Sequence, residues 1–178
     1  MQARTIIVAV AATLLSAGAA QADIFGTGDN QFAIDFVPIS GATNPTSGYG
    51  IVANDYRMGT LEITNAQWDK FKATYGTVTG TPDYAYDDDP TLEPRFTGPS
   101  VPTNRASWYE AAQFVNYLNT STGHQAAYKF TGTQGQSGYA LAVWSAAEAD
   151  NSTNHYRHKD AKYYGSSLFR VGSVAHVR

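Results

Sequence analysis

A chain of 178 residues is long enough to bury one real core, and a formal net charge of −3 without clustered Lys or Arg leaves no electrostatic surface for nucleic acid or anionic membranes. The absence of any cysteine excludes disulfides, thiolate metal ligands and a thiol nucleophile. A content of 12 Tyr, 3 Trp and 16 Gly suits short elements joined by shaped loops better than a helix bundle.

Residues 1–22 read as an export leader. Arg4 supplies a short positive start, IIVAVAATLLSAGAA is apolar, and Ala20-Gln21-Ala22 is an A-x-A cleavage site. Roughly 15 apolar residues ending in small ones are short for a bilayer span, so removal is expected rather than a membrane anchor. The mature chain then begins at Asp23, is periplasmic or extracellular, and has no stable membrane insertion. Losing Arg4 lowers the basic count from 12 to 11 against 15 acids, a net charge of −4.

Gln31 to Ile39 (QFAIDFVPI) alternates apolar residues at Phe32, Ile34 and Phe36 and predicts a half-buried strand. A Ser/Asn/Pro/Gly loop follows. Tyr49 to Met58 predicts a second extended piece, continued by Gly59 to Ile63 with Leu61 and Ile63 on one face. Thr64 and Gln67 form a capping box that opens a helix carrying Trp68, Phe71 and Tyr75, closed by Gly76. Residues 77–101 hold four prolines and no periodic element, the mark of a functional surface or an irregularly packed lid. Within them Asp83, Asp87, Asp88 and Asp89 are candidate metal ligands, and Tyr84, Tyr86 and Asp87 candidate binding residues. Read as an EF-hand from Asp83, the third position is Ala85, the sixth Asp88 and the twelfth Pro94, so that motif fails. An irregular calcium loop and a solvated acidic loop are the two readings left.

The clearest helix comes next. Ser107 and Glu110 make a second capping box. Trp108, Ala111, Ala112, Val115 and Leu118 form one apolar stripe of helical period, widened by Phe114 and Tyr117, and Gly123 supplies the stop. This is a core helix with Trp108 as its anchor, and Thr64, Gln67, Trp68, Ser107, Trp108 and Glu110 read as structural. Ala126 to Phe130 and Tyr139 to Trp144 predict two short strands around a Gly/Thr/Gln turn. His155, His158 and Asp160 form H-x-x-H-x-D; on a helix the two histidines share a face and offer two metal ligands, against the alternative of a solvated polar surface. Ser107, used as a cap, lacks a nucleophile elbow, and Gly26-Thr27-Gly28 lacks the setting of a phosphate cradle. Asn119-Thr120-Ser121 and Asn151-Ser152-Thr153 match the glycosylation sequon.

Two segments together resemble a known family. Tyr56-Arg57-Met58-Gly59, followed by Leu61-Glu62-Ile63-Thr64-Asn65-Ala66-Gln67-Trp68, is similar to the entry Y-x-(I/M)-G-x-x-E-V-T-N-x-Q-(Y/W) of formylglycine-generating enzyme (sulfatase-modifying factor) domains. Val101-Pro102-Thr103-Asn104, then Ser107-Trp108-Tyr109-Glu110-Ala111, resembles that family's P-V-x-x-V-S-W-x-(D/E)-A helix. The resemblance spans about residues 43–164, the N-terminal part of such a domain, and is nearest to bacterial secreted members that often end in a PEP-CTERM sorting signal. It implies an α+β, C-type-lectin-like fold, truncated here, with two helices, small twisted antiparallel sheets and long loops. The family's enzyme oxidises a substrate cysteine with copper(I) held by two cysteines. Soft copper(I) selects thiolate or thioether ligands, so without cysteine that site is not built, and no catalytic residue carries over. A segment Leu-Pro-(S/T)-Glu-x-Glu-Trp, expected after Tyr163-Tyr164, is replaced by Gly165-Ser166-Ser167-Leu168. Residues 23–164 are thus expected to be a partial domain, and 165–178 an atypical tail produced by a frameshift or a gene-model error. A non-catalytic family member is expected, or a module presenting residues 77–101 to a glycan or protein.

Overall fold

The computed structural model describes residues 19–43, 46–47, 54–76, 98–104, 106–134, 136–151 and 153–164. They form an α+β arrangement around one helix. In that helix, α2 (Trp108–Thr120), every residue from Glu110 to Asn119 is buried. An amphipathic surface helix buries one stripe, so burial on all sides means that other elements cover α2 all round.

One side is covered by α1 (Asn65–Tyr75), which turns Trp68 and Phe71 inward. Phe114 of α2 stacks on Trp68 at a centroid separation of 5.6 Å and meets Phe71 edge-on at 5.1 Å. Both helices begin where their capping boxes put them. Thr64 Oγ1 accepts the Gln67 N–H while Gln67 Oε1 accepts the Thr64 N–H, and Ser107 and Glu110 make the same reciprocal pair. Helix α2 runs out in a Schellman ending: the His124 N–H donates to Asn119 O and the Gly123 N–H to Thr120 O, with Gly123 at φ +79°.

A second side is covered by a three-stranded antiparallel sheet, β1 (Gln21–Phe25), β2 (Phe32–Ile39) and β3 (Tyr56–Gly59), with β2 central. The period of two along β2 sends Phe32, Ile34 and Phe36 into the core and leaves Ala33 and Asp35 exposed. Phe32 stacks across the interface on Phe114 and Tyr117. The β1–β2 turn needs glycine at Gly26. Its φ is +74°, and a Cβ there would lie 2.6 Å from Tyr117 Oη and 2.7 Å from Asn30 O. The hairpin β4 (Lys129–Thr131) and β5 (Ala140–Ala142) forms a separate two-stranded sheet. No helix among the described residues is long and apolar enough to cross a membrane.

The remaining cover is irregular chain tied on by two buried asparagines. Asn116 pairs with Tyr128 as a strand would, Oδ1 accepting its N–H at 2.8 Å and Nδ2 donating to its carbonyl at 2.7 Å. Asn119 does the same for residues 162 and 163.

Two expectations are corrected. The strand through Gly59 to Ile63 stops at Gly59, and Leu61 is 76% exposed while Ile63 is 1% exposed, so they share no face. Trp108 is only half-buried, and Trp68 is the tryptophan at the centre. Strand β1 begins at Gln21, and Gln21 and Ala22, which the sequence reading places at the end of the leader, pair with Phe36 and Asp35 of β2.

Candidate functional site

Asp83, Tyr84, Tyr86, Asp87, Asp88 and Asp89 lie outside the described residues. His155 and His158 are described, and they do not lie on a helix, the setting in which they would share a face. Single bridges tie this stretch to distant chain, Tyr128 to Arg157 and Ala149 to His158. The His158 ring is buried edge-on against Trp144, with centroids 4.6 Å apart, and its Nδ1 accepts the Asp160 N–H at 3.1 Å. That bond occupies one possible ligand atom and leaves the neutral ring's proton on Nε2. The Asp160 carboxylate is 4.0 Å from Nδ1 and largely exposed. Among the described residues, no three His, Cys, Asp or Glu side chains gather at a metal-sized site. Of the two sequons, Asn119 is fully buried with its amide engaged, whereas Asn151 is exposed.

A dense polar cluster among the described residues is one that the sequence does not announce. The Arg57 guanidinium holds the Asp23 carboxylate with both arms, Nη1 to Oδ2 at 2.9 Å and Nη2 to Oδ1 at 3.0 Å. Tyr163 Oη donates to Oδ2 at 2.7 Å, and Lys162 Nζ is 3.6 Å away. These groups are 34 and 140 positions apart in sequence, so no local motif announces them. Burial alone raises the Asp23 carboxyl pKa. The hydrogen bonds from Arg57 and Tyr163, with the positive charges of Lys162 and Arg57, outweigh burial and hold it below the ordinary carboxylate value. Burial, together with the Asp23 carboxylate, pushes the Tyr163 hydroxyl up.

The sign of the resulting pH dependence follows. A carboxyl with a lowered folded pKa contributes stability above its unfolded pKa and loses it as pH falls through the folded value. Asp23→Asn should therefore cost about 1.5–3 kcal/mol at pH 7, the worth of a charged hydrogen-bond set. The gap to the parent should close below about pH 4, where unfolded aspartate protonates. Urea midpoints of both proteins at pH 7 and pH 3 check this, and a gap independent of pH would contradict it.

A second feature lies at the start of α2 and on the hairpin. Trp108 meets Tyr109 at 5.7 Å and Tyr128 at 5.3 Å, both edge-on. Tyr109 leans on Phe130 at 6.4 Å, and Phe130 stacks on Tyr139 at 5.0 Å with 16° between planes. Tyr109 is exposed and the others are half-buried, so the rings make a continuous aromatic strip at the surface. Burial pushes the Tyr75 hydroxyl up, and Tyr139 beside it adds to the shift. Burial likewise raises Tyr139. Both stay neutral at physiological pH, as hydrogen-bonding hydroxyls beside apolar ring faces. Such a surface suits the faces and hydroxyls of a sugar.

Comparison of the chain with protein-family models, curated proteins and solved structures finds no match.

Proposed function

We propose that this chain is an exported domain of the sulfatase-modifying factor type that does not perform the family's copper chemistry. One observation carries the family reading: the two motif segments, about forty residues apart, lie strapped together. Thr64 bridges Pro102, the Thr103 N–H donates to Ile63 O at 2.8 Å, and the Asn65 N–H donates to Val101 O at 2.9 Å. Asn65 Nδ2 adds a bond to Gly98 O at 2.9 Å. Two unrelated chance matches have no reason to meet at paired helix starts, so this contact supports reading them as one unit. The α+β layout is compatible with the C-type-lectin-like course that the resemblance implies. The chain has no cysteine for soft copper(I), so its role is binding rather than oxidation. Purified protein given copper and a cysteine-containing sulfatase-motif peptide should leave the cysteine unmodified. Aldehyde product above a no-protein control would refute the non-catalytic reading.

The aromatic strip favours a glycan as the bound partner. Half-buried rings held by one another are already rigid, so stacking a sugar on them costs little side-chain entropy. On a glycan array the protein should bind a subset of glycans, and Tyr109→Ala should lose at least tenfold in affinity. Binding that is unchanged by this substitution would place the contact elsewhere.

A further inference from the structure

We propose that the exported form that accumulates begins at Ala20, the product of hydrolysis at Ala19–Ala20, three residues upstream of the junction after Ala22; this rests on the export reading above. The chain carries two adjacent A-x-A patterns, Ala17-Gly18-Ala19 and Ala20-Gln21-Ala22, and small residues satisfy a leader peptidase equally at both. The folded domain treats the residues between them very differently.

Gln21 and Ala22 supply the first two of the five paired positions of β1, opposite Phe36 and Asp35. The Gln21 carbonyl also accepts a hydrogen bond from Arg57 Nη2 at 3.0 Å, from the same guanidinium that holds Asp23. A cut after Ala22 shortens β1 to Asp23, Ile24 and Phe25 and removes that acceptor. It also places a new α-ammonium on Asp23 itself. The carboxylate there, with its side chain 11% exposed, already faces the cations of Arg57 and Lys162, and a third cation would crowd the same carboxylate.

A cut after Ala19 avoids all of this. The new ammonium falls on Ala20, which is exposed. Three residues of extended chain at about 3.3 Å each carry it up to about 10 Å from Asp23, roughly a Debye length in physiological salt. The reaction is ordinary peptide hydrolysis. One water is consumed, the Ala19–Ala20 amide breaks, Ala19 leaves as a carboxylate and Ala20 keeps a free amine. Leader removal precedes folding, so β1 does not shield the second junction. The fold acts afterwards, because the product with a complete β1 outlasts proteolysis of unfolded chain and accumulates.

The full chain, expressed with its leader in a bacterium and recovered from outside the inner membrane, is analysed by intact mass and N-terminal sequencing. Ala20 is the expected first residue. Asp23 as the first residue overturns this inference and leaves export standing, whereas an intact Met1 overturns export itself. Two variants sharpen the result. Ala22→Arg blocks the downstream junction and sits on the exposed sheet face opposite Asp35, so the secreted protein should keep its Ala20 start. Ala19→Arg should abolish the Ala20 form and cut the secreted yield severalfold. Loss of processing with Ala22→Arg but not with Ala19→Arg would overturn the proposal.

Discussion

Replacing Trp68 by alanine should cost about 3–5 kcal/mol, the range for deleting a buried large aromatic. The Trp68 side chain is 0% exposed, stacked on Phe114 and tilted against Phe71 at 5.1 Å. The void it leaves does not collapse easily. Phe114 is held on its other contacts by Phe71, edge-on at 5.1 Å, and by Phe32, stacked at 6.1 Å, so moving it into the gap strips those neighbours. A domain of this size has a net stability of only about 5–15 kcal/mol, so the substitution removes a large share of it. Trp108→Ala should cost distinctly less, because that ring is half-buried and packs on Tyr109 and Tyr128 at the surface. Urea midpoints of the two variants decide between them. If Trp108→Ala proves equally damaging, the core is centred on the start of α2 rather than on the α1–α2 contact.

What the sequence showed of this fold is what short spacing encodes. Both helix starts were legible because a capping box joins residues only three apart, and β2 was legible because its burial alternates over neighbouring residues. Strand β1 was not, since an A-x-A signal and a strand start share Gln21 and Ala22. Alternation carried the third strand too far. After Gly59 the Thr60 N–H donates to Asp35 O, and the chain then leaves the sheet toward the Thr64 cap. The H-x-x-H spacing has meaning as a ligand pair only on a helix; here Asn151 Oδ1 accepts the Thr153 and Asn154 N–H groups in a turn, and pairing to Ala149 and Tyr128 follows. The Asp23 cluster was hidden for a different reason: its members become neighbours only when residues 23, 57 and 163 are folded together. In the sequence Asn119 stands out only as part of a sequon, and nothing marks Asn116. Their burial is visible only once the backbone they bind is in place.

Asn119→Ala should therefore be nearly as damaging as the loss of Trp68, although it removes no apolar surface. The fully buried amide makes four hydrogen bonds. Its Oδ1 accepts the N–H groups of Lys162 at 2.7 Å and Tyr163 at 3.0 Å, while Nδ2 donates to Tyr163 O at 2.9 Å and Val115 O at 3.0 Å. Alanine strands two N–H groups and one carbonyl of residues 162–163, at about 1–3 kcal/mol for each group left buried without a partner. Water reaches the exposed Lys162, so the total should be about 3–5 kcal/mol rather than the full sum. The damage should also spread. Tyr163 packs on Phe25 at 5.1 Å and Phe36 at 5.9 Å and bonds Asp23, so releasing its backbone loosens β1. Asn119→Asp offers no escape, because it keeps the two acceptor contacts but turns a carboxylate oxygen toward two carbonyls and buries a charge. Denaturation midpoints give the cost, and amide hydrogen exchange gives the location. Protection should fall first at Tyr163 and along β1, with the α1–α2 contact exchanging last. A midpoint shift below about 1 kcal/mol, no more than one ordinary hydrogen bond, would mean that ring packing alone holds this segment in place.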